Sequence, residues 1–222
     1  MQAQKPELII PATHNAGSLL ISPDEKWLVS AGSTGIKIWD NKTGSLLKNL
    51  APGSKNIERF GRGTIYMAFD KNSRWLAMEI EEAVYFFDFE KFELAGSIHL
   101  NGKRTALSFS PDGKYLYTAG YNNEAYDTYI IEKTNLANKQ TTLLQTIKVV
   151  TLATHDVTSL RFSPDEKLLL VYDQVLGGWI IDLSQNKIVK QFIDKQQVYP
   201  FDFLPNGNLL ALSGEKEKVA YV

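Results

Sequence analysis

A six-residue stretch recurs along the chain. Phe162-Ser163-Pro164-Asp165-Glu166-Lys167 returns as Phe109-Ser110-Pro111-Asp112-Gly113-Lys114 and as Ile21-Ser22-Pro23-Asp24-Glu25-Lys26. Two worn copies stand at Phe69-Asp70-Lys71-Asn72-Ser73-Arg74 and Phe203-Leu204-Pro205-Asn206-Gly207-Asn208. The chemistry of the stretch is that of a tight turn. Proline fixes φ at the first central position of a type I turn, and Asp followed by Gly suits the positions after it. Each copy therefore ends one strand and starts the next.

The runs around these turns are short, β-branched and aromatic. Trp27-Leu28-Val29-Ser30-Ala31, Ile36-Lys37-Ile38-Trp39, Val84-Tyr85-Phe86-Phe87 and Leu168-Leu169-Leu170-Val171-Tyr172 read as strands bounded by turn residues. No segment sustains apolar residues at helical spacing, so helix is nearly absent. With the Ser position of the motif as origin, copies sit at 22, 70, 110, 163 and 204, in steps of 48, 40, 53 and 41 residues. A period of ~40–45 residues with four strands is that of a propeller blade.

The closing pair of each unit sits at a steady offset, at Trp39-Asp40, Phe87-Asp88, Ile181-Asp182 and Tyr221-Val222. In the third unit the pair is stretched to about Ile131-Glu132, and the polar residues 133–142 read as one lengthened surface loop. Ala12-Thr13-His14 and Ala153-Thr154-His155 lie 141 residues apart, as do Ser22 and Ser163.

A His before the first strand, Ser-Pro-Asp-Glu-Lys, Ser-Ala-Gly, Ile-Lys-Ile-Trp-Asp and Thr-Gly together resemble WD40 repeats, most closely over Ser18–Gly44 and Thr154–Asp182. The third unit also looks like the repeats of lactonase-like propellers. The WD40 resemblance implies one all-β propeller domain of about five four-stranded blades, in units of roughly 14–50, 60–99, 103–150, 155–192 and 197–222. Residues 7–11 would add the N-terminal strand that completes the last blade. Rings of this family normally hold about seven or eight blades, so the expectation is part of a larger ring, with a small closed ring as the alternative. The resemblance further implies a hydrogen-bonded blade network built on His14, Ser30 and Trp39, with His155 as the matching residue of the fourth unit. The Asp of that network is replaced by Ser33.

Composition narrows the function classes. The 24 basic and 25 acidic residues give a net charge of −1, with no field that would favour nucleic acid or an anionic membrane. Cysteine is absent, which removes disulfides, thiolate nucleophiles and Cys-ligated metal. No apolar run reaches the ~20 residues of a membrane-spanning helix. Gln2-Ala3-Gln4 resembles the start of a chain after signal cleavage, which would place the protein in a periplasm or outside the cell. An unprocessed polar start in the cytoplasm is the alternative.

Residues that invite a catalytic reading have structural explanations. Asp24, Asp112 and Asp165 stand at turn positions without the spacing of a calcium loop. The motif serines lack a hydrolase elbow. Gly61-Arg62-Gly63 and Gly177-Gly178 are too short to cradle phosphate. Glu79, Glu81 and Glu82 read as a solvated edge. The expectation is thus a scaffold with no catalytic, cofactor or metal site.

The loops leading into the first strands converge on one end of a propeller. They carry Arg59, Arg62, Lys103, Arg104 and Asp156, and exposed aromatics such as Tyr121, Trp179 and Tyr199 would join them in a partner-binding face. Arg, Trp and Tyr are the residues that most often anchor protein interfaces. Bacterial WD40 proteins that look like this one can precede a caspase-like peptidase domain, which makes a sensing part of such an enzyme one alternative. A lactonase-like enzyme working in the ring channel is the other.

Overall fold

The computed structural model describes residues 16–32, 35–50, 65–80, 82–122, 125–149, 157–173, 175–193, 198–213 and 218–221. They form 19 strands and no helix. The first sheet is β1 (Ala16–Ile21), β2 (Trp27–Gly32), β3 (Gly35–Asp40) and β4 (Leu46–Asn49). The second is β5 (Met67–Phe69), β6 (Trp75–Ile80), β7 (Ala83–Asp88) and β8 (Glu93–His99). The third is β9 (Arg104–Phe109), β10 (Tyr115–Asn122), β11 (Ala125–Asn135) and β12 (Thr141–Lys148). The fourth is β13 (Val157–Phe162), β14 (Leu168–Asp173), β15 (Gly177–Asp182) and β16 (Lys187–Ile193). A fifth sheet holds β17 (Val198–Phe203), β18 (Leu209–Ser213) and β19 (Lys218–Tyr221). Neighbours in each sheet are consecutive in the chain and antiparallel. Four sheets thus have four strands and the fifth has three, where five four-stranded blades are expected from sequence. Residues 7–11, expected to complete the last blade, lie outside the described residues.

The cores lie between sheets. Val29, Ile36 and Ile38 of the first pack on Leu76, Met78 and Phe87 of the second. Ala77, Val84 and Ile98 of the second pack on Leu107, Phe109 and Leu116 of the third. Similar clusters join the third sheet to the fourth and the fourth to the fifth. Alternation along each strand sends residues to both faces, so every interior sheet is covered twice. That is the packing of a propeller.

The recurring turn is held by its own side chains. Ser22 Oγ donates to Asp24 Oδ1 at 2.7 Å and accepts from Trp27 N at 3.0 Å. Ser110 and Ser163 repeat this with Asp112 and Asp165 at 2.6 Å. In the second unit Asp70 does the work of the serine, accepting from Trp75 N at 2.7 Å. The residue three after the serine position is left-handed in each: Glu25, Ser73, Gly113, Glu166 and Gly207 have φ of 59° to 87°.

The third unit is longer than its neighbours, though not where its polarity suggests. Residues 133–135 and 141–142 belong to β11 and β12, joined by a short turn. Trp27 pairs with Asp40 and Tyr115 with Asn135, so the closing pair of the third unit is Thr134-Asn135 and not Ile131-Glu132. Asn135 Oδ1 caps its turn by accepting from Ala137 N at 2.9 Å, as Asp40, Asp88 and Asp182 cap theirs. The extra length is taken up by the β10–β11 hairpin.

Candidate functional site

The loops that lead into first strands and the turns between second and third strands share one end of the sheets. Of the expected face, Arg59, Arg62 and Asp156 lie outside the described residues, and Tyr199 is placed on β17 without a described side chain. Lys103 is exposed there, with its ammonium 5.7 Å from the centre of the Tyr66 ring.

Arg104, the next residue, is 0% exposed, against the sequence expectation that it would join an accessible face. The start of β9 pairs with β10 at the base of the lengthened β10–β11 hairpin, with Arg104 opposite Gly120. A buried guanidinium is tolerated only when paired and hydrogen-bonded. Here Nη2 donates to Glu132 Oε2 at 2.6 Å. Nη1 reaches the carbonyls of Asn101, Lys103 and Tyr121 at 3.2, 3.4 and 3.0 Å. Nε has no partner among the described residues. The contact depends on Gly120, where an added Cβ would stand 2.2 Å from Lys103 O and 2.7 Å from Arg104 Cα.

Glu79 lies within electrostatic reach of Lys103 and Arg104. The solvated-edge reading is corrected for this residue, which is buried, while Glu82 is exposed and Glu81 lies outside the described residues. Its Oε1 accepts from Glu82 N at 3.4 Å. Burial pushes its carboxyl up to about 6, against the opposing pull of the Glu82 N–H, Lys103 and Arg104.

Tyr121 and Trp179 are 6% and 3% exposed, so they are core residues rather than exposed aromatics. Both point into the space between the third and fourth sheets, where burial of their rings outweighs surface contact. Tyr129 stands between them, 4.9 Å from Tyr121 and edge-on to Trp179 at 6.3 Å. Its hydroxyl donates to Asp173 Oδ2 of the fourth sheet. Asp173 is fully buried, and its Oδ1 accepts from Val175 N at 2.6 Å and Leu176 N at 2.8 Å. Burial and the carboxylate together push the Tyr129 phenol far above its ordinary range. This inter-sheet clamp carries no motif; only the packing of the third sheet on the fourth brings Tyr129 to Asp173.

Of the blade network, Trp39 Nε1 donates to Ser30 Oγ at 2.8 Å in a buried bond. His14 and His155 lie outside the described residues. Among the described residues no three His, Asp or Glu side chains cluster as metal ligands.

Comparison with known proteins agrees with this architecture. Residues 9–40, 95–126 and 146–176 match the family WD domain, G-beta repeat. No curated protein matches the chain. Among solved structures, hydrazine synthase of Kuenenia stuttgartiensis is 15% identical with a TM-score of 0.68, over 100% of this chain and 69% of its own. The Cps50 (Swd1) β-propeller domain of Myceliophteria thermophila is 15% identical with a TM-score of 0.67, over 92% of this chain and 64% of its own. At such identity the likeness is one of fold. With its Ser-Pro-Asp turns, consecutive antiparallel sheets and three repeat matches, the chain carries WD40 repeats in a β-propeller fold.

Proposed function

We propose that the protein is a protein-interaction scaffold that meets its partner at the end of the propeller bearing Lys103. The observation that carries this reading is the contrast between adjacent residues. Lys103 is exposed over the Tyr66 ring, while Arg104 next to it is fully buried and fixed by four hydrogen bonds. A cationic, partly aromatic surface on a braced loop is suited to an acidic patch on another protein. Exposed Lys148 at the end of β12 adds a second positive charge at this end of the sheets.

The test is affinity capture with Lys103→Glu/Lys148→Glu. Lys114→Glu/Lys167→Glu, at the opposite end, serves as the control. Loss of partners from the first variant alone is expected. Equal recovery from both folded variants overturns the assignment.

We also infer a ring larger than these five sheets. Leu20 faces the second sheet, whereas its neighbours Leu19 and Ile21 turn the other way and are 59% and 51% exposed. A further blade would cover them. Sedimentation tests this: Leu19→Lys/Ile21→Lys should lower self-association of the chain, and a wild type that stays monomeric and binds no hydrophobic dye refutes it.

A further inference from the structure

Trp39, Phe87, Thr134 and Ile181 share one register position. Each pairs with the leucine that follows its turn: Leu28, Leu76, Leu116 and Leu169. A second shared position lies in the next turn, where Gly44, Phe92, Lys139 and Asn186 all have positive φ, of 69°, 57°, 59° and 51°.

Between the first and second sheets these two positions hold rings. Phe87 and Phe92 meet edge to face at 5.4 Å. Lys48, from the first sheet, places its ammonium 5.4 and 5.1 Å from their centres and donates to Phe92 O at 2.5 Å. The protein fills that junction with its own aromatic side chains under a lysine.

Between the second and third sheets the same positions hold Thr134 and Lys139. Neither supplies a ring, and a cleft of about 200 Å³ remains. Trp75, Phe86 and Ile98 of the second sheet and Phe109 and Leu136 of the third line it. The Thr134 hydroxyl is occupied by Thr141 at 2.9 Å. Ala95 and Gly96 are exposed at its mouth. The Lys139 ammonium stands there too, 3.6 Å from where a Cβ on Gly96 would be, with no anion paired to it among the described residues.

We propose that this cleft receives one aromatic side chain of a partner protein, with a neighbouring carboxylate of that partner meeting Lys139. Size selects this occupant. An apolar cavity of about 150 Å³ is enough to hold benzene, whereas sites for free small molecules usually span about 300–1,000 Å³. The cleft fits one ring and little else, which suits an anchor residue whose remaining contacts lie on the surrounding surface. It opens at the end bearing the Ser-Pro-Asp turns, away from Lys103, so it does not depend on the proposed partner face.

The test uses the full chain labelled with 5-fluorotryptophan, with the Trp75 resonance assigned through Trp75→Phe. The probe is a blocked peptide, Gly-Asp-Phe-Asp-Gly. A saturable shift of the Trp75 signal is expected at millimolar peptide. Replacing the peptide Phe by Ala should abolish it, and replacing both peptide Asp residues by Asn should weaken binding about tenfold. Thr134→Phe should fill the cleft and abolish the shift. Should that variant fail to fold, exposed Lys139→Glu carries the test, with the same tenfold weakening. No shift with the Phe peptide, or an undiminished shift with Lys139→Glu, overturns the proposal. Phenylacetate binding as tightly as the peptide, with the same dependence on Lys139, overturns the partner-protein source in favour of a small-molecule site.

Discussion

The Trp39 indole N–H is held by the Ser30 hydroxyl at 2.8 Å, with both residues buried. In the third unit Thr118 stands where Ser30 does and Thr134 where Trp39 does, in the same register. Threonine is too short to reach across, and its hydroxyl pairs with Thr141 instead. The Thr118 hydroxyl is left buried without a partner among the described residues. Trp39→Phe should therefore destabilise by about 1–3 kcal/mol through an orphaned Ser30 hydroxyl. Thr118→Val, isosteric and without the orphan, should stabilise by about 1 kcal/mol. Urea unfolding of both variants measures the two signs together.

The clamp between the third and fourth sheets predicts a second asymmetry. Tyr129→Phe removes the donor to Asp173 Oδ2 and leaves a fully buried carboxylate oxygen unpaired. The expected loss is about 2 kcal/mol. Tyr121→Phe, which removes the 3.3 Å contact to the Tyr129 hydroxyl and leaves the Tyr129–Asp173 bond in place, should cost less. Denaturant midpoints of the two variants decide.

Glu79 predicts the pH dependence. Its carboxyl stands at about 6 in the folded protein against an ordinary value of 4.5. The folded state thus binds more protons between these values. The residue's contribution to stability is complete below pH 4.5 and is lost as pH rises through 6. Glu79→Gln carries no such slope. The stability of wild type relative to this variant should fall by about 2 kcal/mol from pH 4.5 to 7.5, read from thermal melts.

Gly120 predicts a steric effect. A Cβ there would meet backbone atoms of Lys103 and Arg104, which cannot swing aside as a side-chain tip can. Gly120→Ala should destabilise by about 2–3 kcal/mol and displace the Lys103 loop. Comparison of backbone amide shifts for residues 101–104 with wild type checks the displacement.

The turns and the sheet order were legible in sequence because their determinants are local. Ser, Pro and Asp act within six residues of one another, and the repeat multiplies the signal. What escaped depends on contacts between units. Lys103 and Arg104 look alike as neighbours, but only the fold shows Arg104 buried opposite Gly120 while Lys103 stays exposed. Tyr121 and Trp179 look like candidates for a surface until the third and fourth sheets close over them. The third unit misled through composition: residues 133–142 are polar, yet Asn135 performs the capping of an Asp and keeps them in the ordinary hairpin. The missing ring at Thr134 is visible only when the register aligns it with Trp39.

Arg104 has a consequence for recognition. The guanidinium bonds three carbonyls flanking the loop and anchors them to Glu132 on β11. Binding to a loose loop loses affinity to the ordering of its backbone and side chains. Here that ordering is completed when the chain folds. On the proposed face a partner at Lys103 would meet a preorganised surface, so differences in affinity between partners should express their own shape and charge rather than the entropy of the loop.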